Sequence, residues 1–462
     1  MTIRSFDVFD TLFARRYVTS EIIWEEMERI HQIPDFSRNR KDADNGQRSL
    51  SQIYEAMQSS GVLPEYYNIE ELVSEEIRRE AKYIFPIKEN IDQVRNSDIL
   101  VSDMYMKSID ILNLVRSVGM DKQVSIYQSN GDKSNGSFWS RMRGKLDIEY
   151  HLGDNIHSDF NVPISHGFNA IHYAEVSKQT TYEKFLGDNG LRQLSLLLRE
   201  IRLRNYDPLY SIYLETAGQQ NLILLFVLCE LLHRKYPSRP ITFLGRDCEL
   251  MYKIYNEFYS VKSYYLPFSR EVAQKQTAES VEYLKTNTFE DSVLVDISST
   301  GRTWEIICRQ HPFDVEAIIY SDLCWYSDTK PVLPKTFDYI HQNSVIGQTS
   351  IVLEIFNCGT HGKLNHISVI NGVPIGSYGT PELPKKVVDL IHKPVNDAVQ
   401  LHRMGEYESL IEEFSSISSE DLELISAKLL VNISTLPIDQ LNINNTMVEF
   451  DKKESEYLEY LK

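Results

Sequence analysis

Short apolar runs that stop abruptly at polar residues punctuate the first part of the chain, and stretches with helical spacing separate them. The first run, Ile3-Arg-Ser-Phe6, is followed by Asp7-Val-Phe9-Asp10-Thr11. Ile99-Leu-Val ends in Ser102, and Val124-Ser-Ile-Tyr127 leads into a Gly/Asn/Ser-rich loop from Ser129 to Gly136 that carries Lys133. Tyr150-His-Leu ends in Gly153-Asp154, with Asp159 beyond it. Between the second and third runs Ser108, Ile111, Leu112 and Val115 mark a helix that closes near Gly119. Strands alternating with helices predict an α/β domain built on a parallel sheet, whose ligands gather at the carboxyl ends of the strands.

Two departures from that alternation set the remaining architecture. After Asp10 the pattern turns helical: Ile22, Ile23, Met27 and Ile30 are spaced for one face, and Asn68 with Glu71 reads as a capping box opening another helix. This insert, about 14–96, is expected to be a small helical cap able to close over Asp7 and exclude water. Around Asn205 to Leu209 the pattern changes again. A long helix is predicted from about Tyr210 to Tyr236, then strand-to-helix junctions at Pro240 to Asp247 and at Ser292 to Trp304. From about Pro394 the chain is helical and polar, with Leu410, Ile411, Phe414, Leu422, Leu424, Ile425, Leu429 and Leu430 on amphipathic faces. The fold expected is therefore α/β: two Rossmann-like parallel-sheet domains, 1–205 with its cap and 206–395, plus a C-terminal helical appendage, 396–462.

Composition narrows the partners. A chain of 462 residues exceeds one ordinary core, in keeping with two domains. The 66 acidic against 48 basic residues give a net charge of −18, and no basic cluster offsets it, which argues against nucleic acid or an anionic membrane as partner. The longest apolar run, Leu222 to Leu232, is broken by Glu230 and falls short of the roughly 20 residues that cross a bilayer, so a core helix rather than a transmembrane segment is expected. No leader or transit-like stretch precedes the first strand, and a cytoplasmic location is expected. The 5 cysteines are scattered without a Cys-x-x-Cys pair, pointing to neither disulfides nor zinc.

The polar strand ends carry chemistry through their order: Asp, Ser, a loop Lys, then Gly-Asp-x4-Asp. This set resembles the haloacid dehalogenase superfamily, whose four motifs match Asp7-x-x-x-Thr11, Ser102, Lys133 and Gly153-Asp154 to Asp159 over residues 1 to about 180. The resemblance implies that Asp7 is the nucleophile that takes up a phosphoryl group and that Ser102 and Lys133 hold the phosphoryl oxygens. It also implies that Asp7, Asp154 and the Phe9 carbonyl coordinate Mg²⁺, with Asp159 supporting the metal shell. A transferring phosphoryl group needs a metal, a cation and donors in fixed places, so the residue types suit the roles. One position departs. Phosphatases of this superfamily carry a second Asp two residues after the nucleophile, where this chain has Phe9. Either Asp10, a substrate group or a cap residue then protonates the leaving oxygen, or the reaction is slow.

The second half offers two anion sites. Amides at a helix start face an anion, and Gly245-Arg246-Asp247 supplies one such junction. The other, Asp296-Ile-Ser298-Ser299-Thr300-Gly301-Arg302-Thr303, adds hydroxyls that can wrap a phosphate monoester and an acid placed to accept bonds from the vicinal hydroxyls of a sugar. This stretch resembles the phosphoribosyl-pyrophosphate loop of type I phosphoribosyltransferases, with coverage of roughly 206 to 370. Leu244 to Asp247 would match the pyrophosphate loop, and Ser269-Arg270 the segment that closes over the donor. Two departures stand out: Val295 precedes Asp296 where the family has adjacent acids, and Ser299 replaces an acid that serves the incoming base in base-salvaging members. The acceptor expected is accordingly not a purine. Glu354 and His361, in the run Val352 to Gly362, are candidates for an acceptor site, including the base that would deprotonate a hydroxyl.

The pairing of both halves is similar to the bifunctional transferase-phosphatase proteins that put ribofuranose into bacterial surface polysaccharides. It implies phosphoribosyl pyrophosphate as donor, a glycan or lipid-linked glycan hydroxyl as acceptor, and Mg²⁺ as cofactor. Two alternatives remain open on sequence: a nucleotide-metabolism phosphoribosyltransferase joined to a nucleotidase, and a regulatory protein that only binds phosphoribosyl pyrophosphate.

Overall fold

The computed structural model describes residues 2–275, 277–288, 291–299, 316–322, 337–341, 349–381, 383–434 and 436. The chain divides into two compact units, Met1–Thr180 with Leu203–Tyr206, and Thr181–Arg202 with Asp207–Lys462. The chain leaves the first unit for the last time at Tyr206, beside the expected 205, while Thr181–Arg202 group with the second unit. Leu186, Leu191, Leu194, Leu197 and Leu198 are buried in the core of the second unit, and Leu203 in that of the first.

The first unit holds β1 (Ile3–Phe6), β2 (Phe13–Arg15), β3 (Ile84–Pro86), β4 (Ile99–Ser102), β5 (Ser125–Gln128), β6 (Ile148–Gly153) and β7 (Ala170–His172). Five of them form a parallel sheet in the order β5-β4-β1-β6-β7. The chain runs outward from β1 through β4 to β5, then returns to the far side of β1. Strand order therefore reverses between β1 and β6, and the carboxyl ends of those two strands flank the crevice where such sheets hold ligands.

The insertion after β1 differs from the purely helical stretch expected. β2 and β3 pair antiparallel, Phe13 with Pro86 and Arg15 with Ile84, and so bring its entry and exit together. Between them lie α1 (Glu21–His31), α2 (Phe36–Ala43), α3 (Leu50–Ser59) and α4 (Ile69–Tyr83), which share a core of their own built on Ile23, Trp24, Met27, Phe36, Ile53, Tyr54 and Leu72. Ile30, expected on that face, is exposed, and Trp24 takes the buried position. The full capping box forms at Ser49 and Gln52 on α3. Asn68 does cap α4, accepting from the Glu70 amide at 2.9 Å. Deep in this core the Glu76 carboxylate accepts from Trp24 Nε1 at 3.3 Å, Arg40 Nη2 at 2.8 Å, the Tyr54 hydroxyl at 2.5 Å and the Tyr105 hydroxyl at 3.3 Å. That many donors, one of them a cation, offset the cost of burying the charge.

The second unit repeats the parallel-sheet plan with β8 (Ile241–Leu244), β9 (Ser263–Leu266), β10 (Val293–Ser299), β11 (Glu316–Asp322) and β12 (Phe337–His341). Their order is β12-β11-β10-β8-β9, all parallel, so the reversal here lies between β8 and β10. The helix Ser211–Lys235 is, by length and composition, able to cross a bilayer, which the broken run Leu222–Leu232 did not foretell; most of its apolar window is buried inside the protein. The C-terminal helices expected as an appendage contribute to the same core. Ala398, Leu401, Leu422, Ile425 and Leu429 pack in one cluster with Leu225, Ile241 and Val295.

Candidate active site

The first site grows out of the β1–β6 edge. Asp7 follows β1 directly, and its amide donates to the Leu152 carbonyl at 2.8 Å, continuing the sheet pairing. Phe6 lies opposite both Leu100 and Leu152, so Ser102 and Gly153-Asp154 reach the same edge. Asp7 is 6% exposed. Thr11 Oγ1 donates to Asp7 Oδ2 at 3.3 Å and to Asp154 Oδ1 at 3.5 Å, which ties the turn after β1 to the end of β6. Ser102 is buried, its Oγ accepting from the Met104 amide at 3.3 Å.

Lys133 joins these groups from a turn far along the chain. Its ammonium donates to Asp7 Oδ1 and lies 2.8 Å from Asp159 Oδ1, at 3% exposure. Asp159 sits in a widened helical turn, Ile156–Asn161, immediately after Asp154. Its Oδ2 accepts from the Asn155 amide at 3.0 Å, and its Oδ1 lies 3.2 Å from His151 Nε2. A carboxylate only accepts, so His151 carries its proton on Nε2, and Nδ1 accepts from the Ser5 hydroxyl at 2.8 Å. A Cβ on Gly153 would overlap the Asp159 carboxylate, which explains glycine at the end of β6. His151 was missed on sequence, where it reads as one more member of a strand.

Burial raises the Asp7 carboxyl well above its usual range, with Asp159 and Asp154 adding repulsion and Lys133 opposing it. Asp154 is pushed up to about 7 by burial and by the charges of Asp10 and Asp159. Burial also acts against ionisation of Asp159, but the bonds from His151 and Lys133 outweigh it and hold that carboxyl below its ordinary value. Lys133 is held more firmly protonated than usual, because Asp7 and Asp159 outweigh its burial. Oxygens of Asp7, Asp154 and Asp159 lie within 4.8 Å of one another. These hard oxygen donors, two of them raised chiefly by burial, could hold a metal ion.

Position 9 is a packing position. The Phe9 ring is buried, 4.7 Å from the Phe13 ring in an edge-to-face contact, with the Arg15 guanidinium 4.7 Å from its centroid. Arg15 in turn pairs with the fully buried Glu80 at 2.6 Å. Asp10, the neighbouring acid, adopts a left-handed backbone with φ +55° and stands close enough to raise Asp154. Asp7, Asp10, Lys133, Asp154 and Asp159 are thus gathered, with Ser102 on the same sheet edge.

The second site lies at the β8 and β10 ends. Gly245 has φ +83° and ψ 171°, a combination open only to glycine, and a Cβ there would stand 2.9 Å from Asp247 Oδ1. Arg246 and Asp247 follow in a tight turn, Arg246–Cys248. Asp247 is pushed up to about 7 by burial and by the charge of Glu354, which places these two acids near each other. Ligand atoms of Asp247, Cys248 and Asp296 also lie within 4.8 Å of one another. Burial raises the Cys248 thiol, which contacts the Val295 carbonyl at 3.5 Å, so it behaves as a core group. Asp296 was expected to end its strand. Instead β10 continues to Ser299, because its register with β11 runs on to Ser299 and Asp322. The backbone of Ser298 and Ser299 is therefore strand; their side chains, that of Arg270 at the start of the helix Arg270–Lys275, and the whole of Thr300, Gly301, Arg302 and Thr303 lie outside the described residues. His361 donates from Nδ1 to the Gly362 carbonyl at 2.8 Å and accepts at Nε2 from the Tyr265 hydroxyl at 2.9 Å. The Gly362 carbonyl thus fixes the ring, and Nε2 presents its lone pair to a hydroxyl. Thr360 beside it, not singled out on sequence, donates through its amide to Glu249 at 2.7 Å.

No protein-family model matches the chain, and no curated protein matches it.

Proposed function

We propose that the first unit is a Mg²⁺-dependent phosphatase of the haloacid dehalogenase type and that the second transfers 5-phosphoribosyl from phosphoribosyl pyrophosphate to a glycan hydroxyl. The two would act in sequence in the cytoplasm to leave a β-ribofuranosyl residue in a bacterial surface polysaccharide. The observation that carries the reading is the Lys133 ammonium shared by Asp7 and Asp159, with Asp154 at the same sheet edge. A buried nucleophilic carboxylate, a cation beside it and a second acid cluster are what phosphoryl transfer requires.

In this reading an Asp7 oxygen attacks phosphorus and the bond to the sugar oxygen breaks. That oxygen leaves with the bonding pair and takes a proton from Asp10. Water then attacks phosphorus, giving up a proton to Asp10, and the Asp7–phosphorus bond breaks to release inorganic phosphate. Ser102 and Lys133 hold the phosphoryl oxygens throughout. Asp7, Asp154 and the Phe9 carbonyl would hold Mg²⁺, which supplies positive charge against the repulsion between nucleophile and phosphate. Helices α1–α4 would form the cap that excludes water during the first step.

In the second unit, a Rossmann-like arrangement by this reading, the β8 turn at Gly245, Arg246 and Asp247 would receive the pyrophosphate and Asp296 the ribose hydroxyls. Displacement at the anomeric carbon of an α-donor inverts it and yields the β-linkage. The experiment is incubation with phosphoribosyl pyrophosphate, Mg²⁺ and candidate glycan acceptors. Asp7→Asn should leave a product that keeps its 5-phosphate, with transfer intact; an unchanged product in that variant sinks the scheme. Asp296→Ala should abolish transfer and leave hydrolysis of a small phosphate ester in place.

A further inference from the structure

One half-buried carboxylate beside the first site is used by none of the steps above, and its bonding is concentrated on a single turn. Asp103 follows Ser102 directly. Its Oδ1 accepts from the Gly131 amide at 3.1 Å, the Lys133 amide at 3.2 Å and the Ser129 hydroxyl; its Oδ2 accepts from the Ser134 amide at 3.0 Å and the Ser134 hydroxyl. The Ser102 carbonyl adds bonds from the Ser129 amide at 2.9 Å and the Ser129 hydroxyl at 3.1 Å. Two ionised oxygens offer about four lone-pair sites, so donors from 129–134 saturate the group.

The turn needs such a centre. Asn130 and Gly131 both have positive φ, +46° and +86°, and the stretch belongs to neither β5 nor the following helix Ser137–Met142. Loops of this kind hold a catalytic group in place only where a scaffold fixes them. Here the scaffold is the end of β4, one residue from Ser102. The same bonds that fix the Lys133 main chain thereby fix the distance between Lys133 and Ser102, the two groups assigned to the phosphoryl oxygens.

We propose that Asp103 is a positioning residue for phosphoryl transfer: it clamps the turn that carries Lys133 to the end of β4, so that the ammonium reaches both Asp7 and Asp159. It touches no substrate and acts through Lys133. The proposal rests on the reading of the first unit as a phosphatase.

A double-mutant cycle on the full chain tests it, read both as the Kd for inorganic phosphate with Mg²⁺ present and as kcat for a small phosphate ester. Asp103→Asn keeps the shape of the side chain but loses the charge and one acceptor. It should weaken phosphate binding and lower kcat by about tenfold to a hundredfold. In a Lys133→Met background the same substitution should add nothing to the Kd. Equal loss in both backgrounds, or none in either, overturns the proposal. Should Asp103→Asn fold poorly, Ser134→Ala removes one hydroxyl donor and should show a smaller loss with the same dependence on Lys133; its absence there is equally decisive. If Lys133→Met itself leaves phosphate affinity and turnover unchanged, it is the phosphatase reading that fails.

Discussion

The Lys133 ammonium lies 2.8 Å from Asp159 Oδ1 while donating to Asp7 as well, so one buried cation serves two buried carboxylates. Removing one member of such a set leaves the others uncompensated, at a cost of about 3–5 kcal/mol. Lys133→Met should therefore lower the melting temperature at pH 8 by about 10 °C, using about 2–4 °C per kcal/mol for a unit of this size. The deficit should shrink towards pH 5. Asp7, which burial already resists ionising, then takes a proton in place of its lost partner. Thermal melts at the two pH values check this, and an equal deficit at both would show that charge pairing is not what Lys133 contributes.

Asp154 gives a prediction of the opposite sign. Its carboxyl is pushed up to about 7 from an ordinary value of 3.8, by burial first and by Asp10 next. The folded chain thus binds this proton more tightly than the unfolded chain. The resulting stabilisation is fully present below about pH 4 and is lost as pH rises through about 7. Asp154→Asn, which never acquires the charge, should be more stable than the natural protein at pH 8 in the presence of a chelator, by about 2 °C or more. That advantage should narrow at pH 5. Added Mg²⁺ should raise the melting temperature of the natural protein and not that of the variant. A pH-independent difference between the two would contradict the raised carboxyl.

Gly245 tests the second site independently of the first. Alanine cannot occupy φ +83°, ψ 171° without strain of about 1–3 kcal/mol, and its Cβ would press on Asp247 Oδ1. Gly245→Ala should displace Asp247 and suppress transfer from phosphoribosyl pyrophosphate, while hydrolysis of a small phosphate ester stays at the natural rate. Loss of both activities together would mean that the substitution unfolds more than the β8 turn.

Strand ends were the legible part of the first site. Asp7, Ser102 and Asp154 each stop an apolar run, and a parallel sheet brings such stops to one edge. What sequence could not supply were pairings between distant residues. Asp103 draws its donors from 26–31 positions away and Ser5 meets His151 across 146, separations that no local period encodes. β2 and β3, of 3 residues each, are too short to show alternation, so the insertion looked helical from end to end. The helices Thr181–Asp188 and Arg192–Arg204 went unread, and even a recognised amphipathic face does not say which core it joins. β10 outran its expected end because its partner β11 sets how far the ladder goes.

If the first unit is the phosphatase proposed, its remaining chemical question is the leaving-group proton. Phe9 stands where an acid was expected, and its ring is committed to Phe13 and the Arg15 guanidinium, so in that reading the acid comes from elsewhere. Asp10 is the adjacent candidate: its φ of +55° turns the chain at this point, and its charge is felt by Asp154. Asparagine tolerates the same left-handed backbone, so Asp10→Asn removes the proton donor while keeping the turn. General acid catalysis contributes about 10²–10⁴-fold where the leaving group is a poor one. Asp10→Asn should therefore slow hydrolysis of an alkyl phosphate such as ribose 5-phosphate by about a hundredfold or more. p-Nitrophenyl phosphate, whose phenolate departs without a proton, should lose less than about tenfold. Equal slowing of the two substrates would remove Asp10 as the acid and leave that role to the insertion or to the substrate itself.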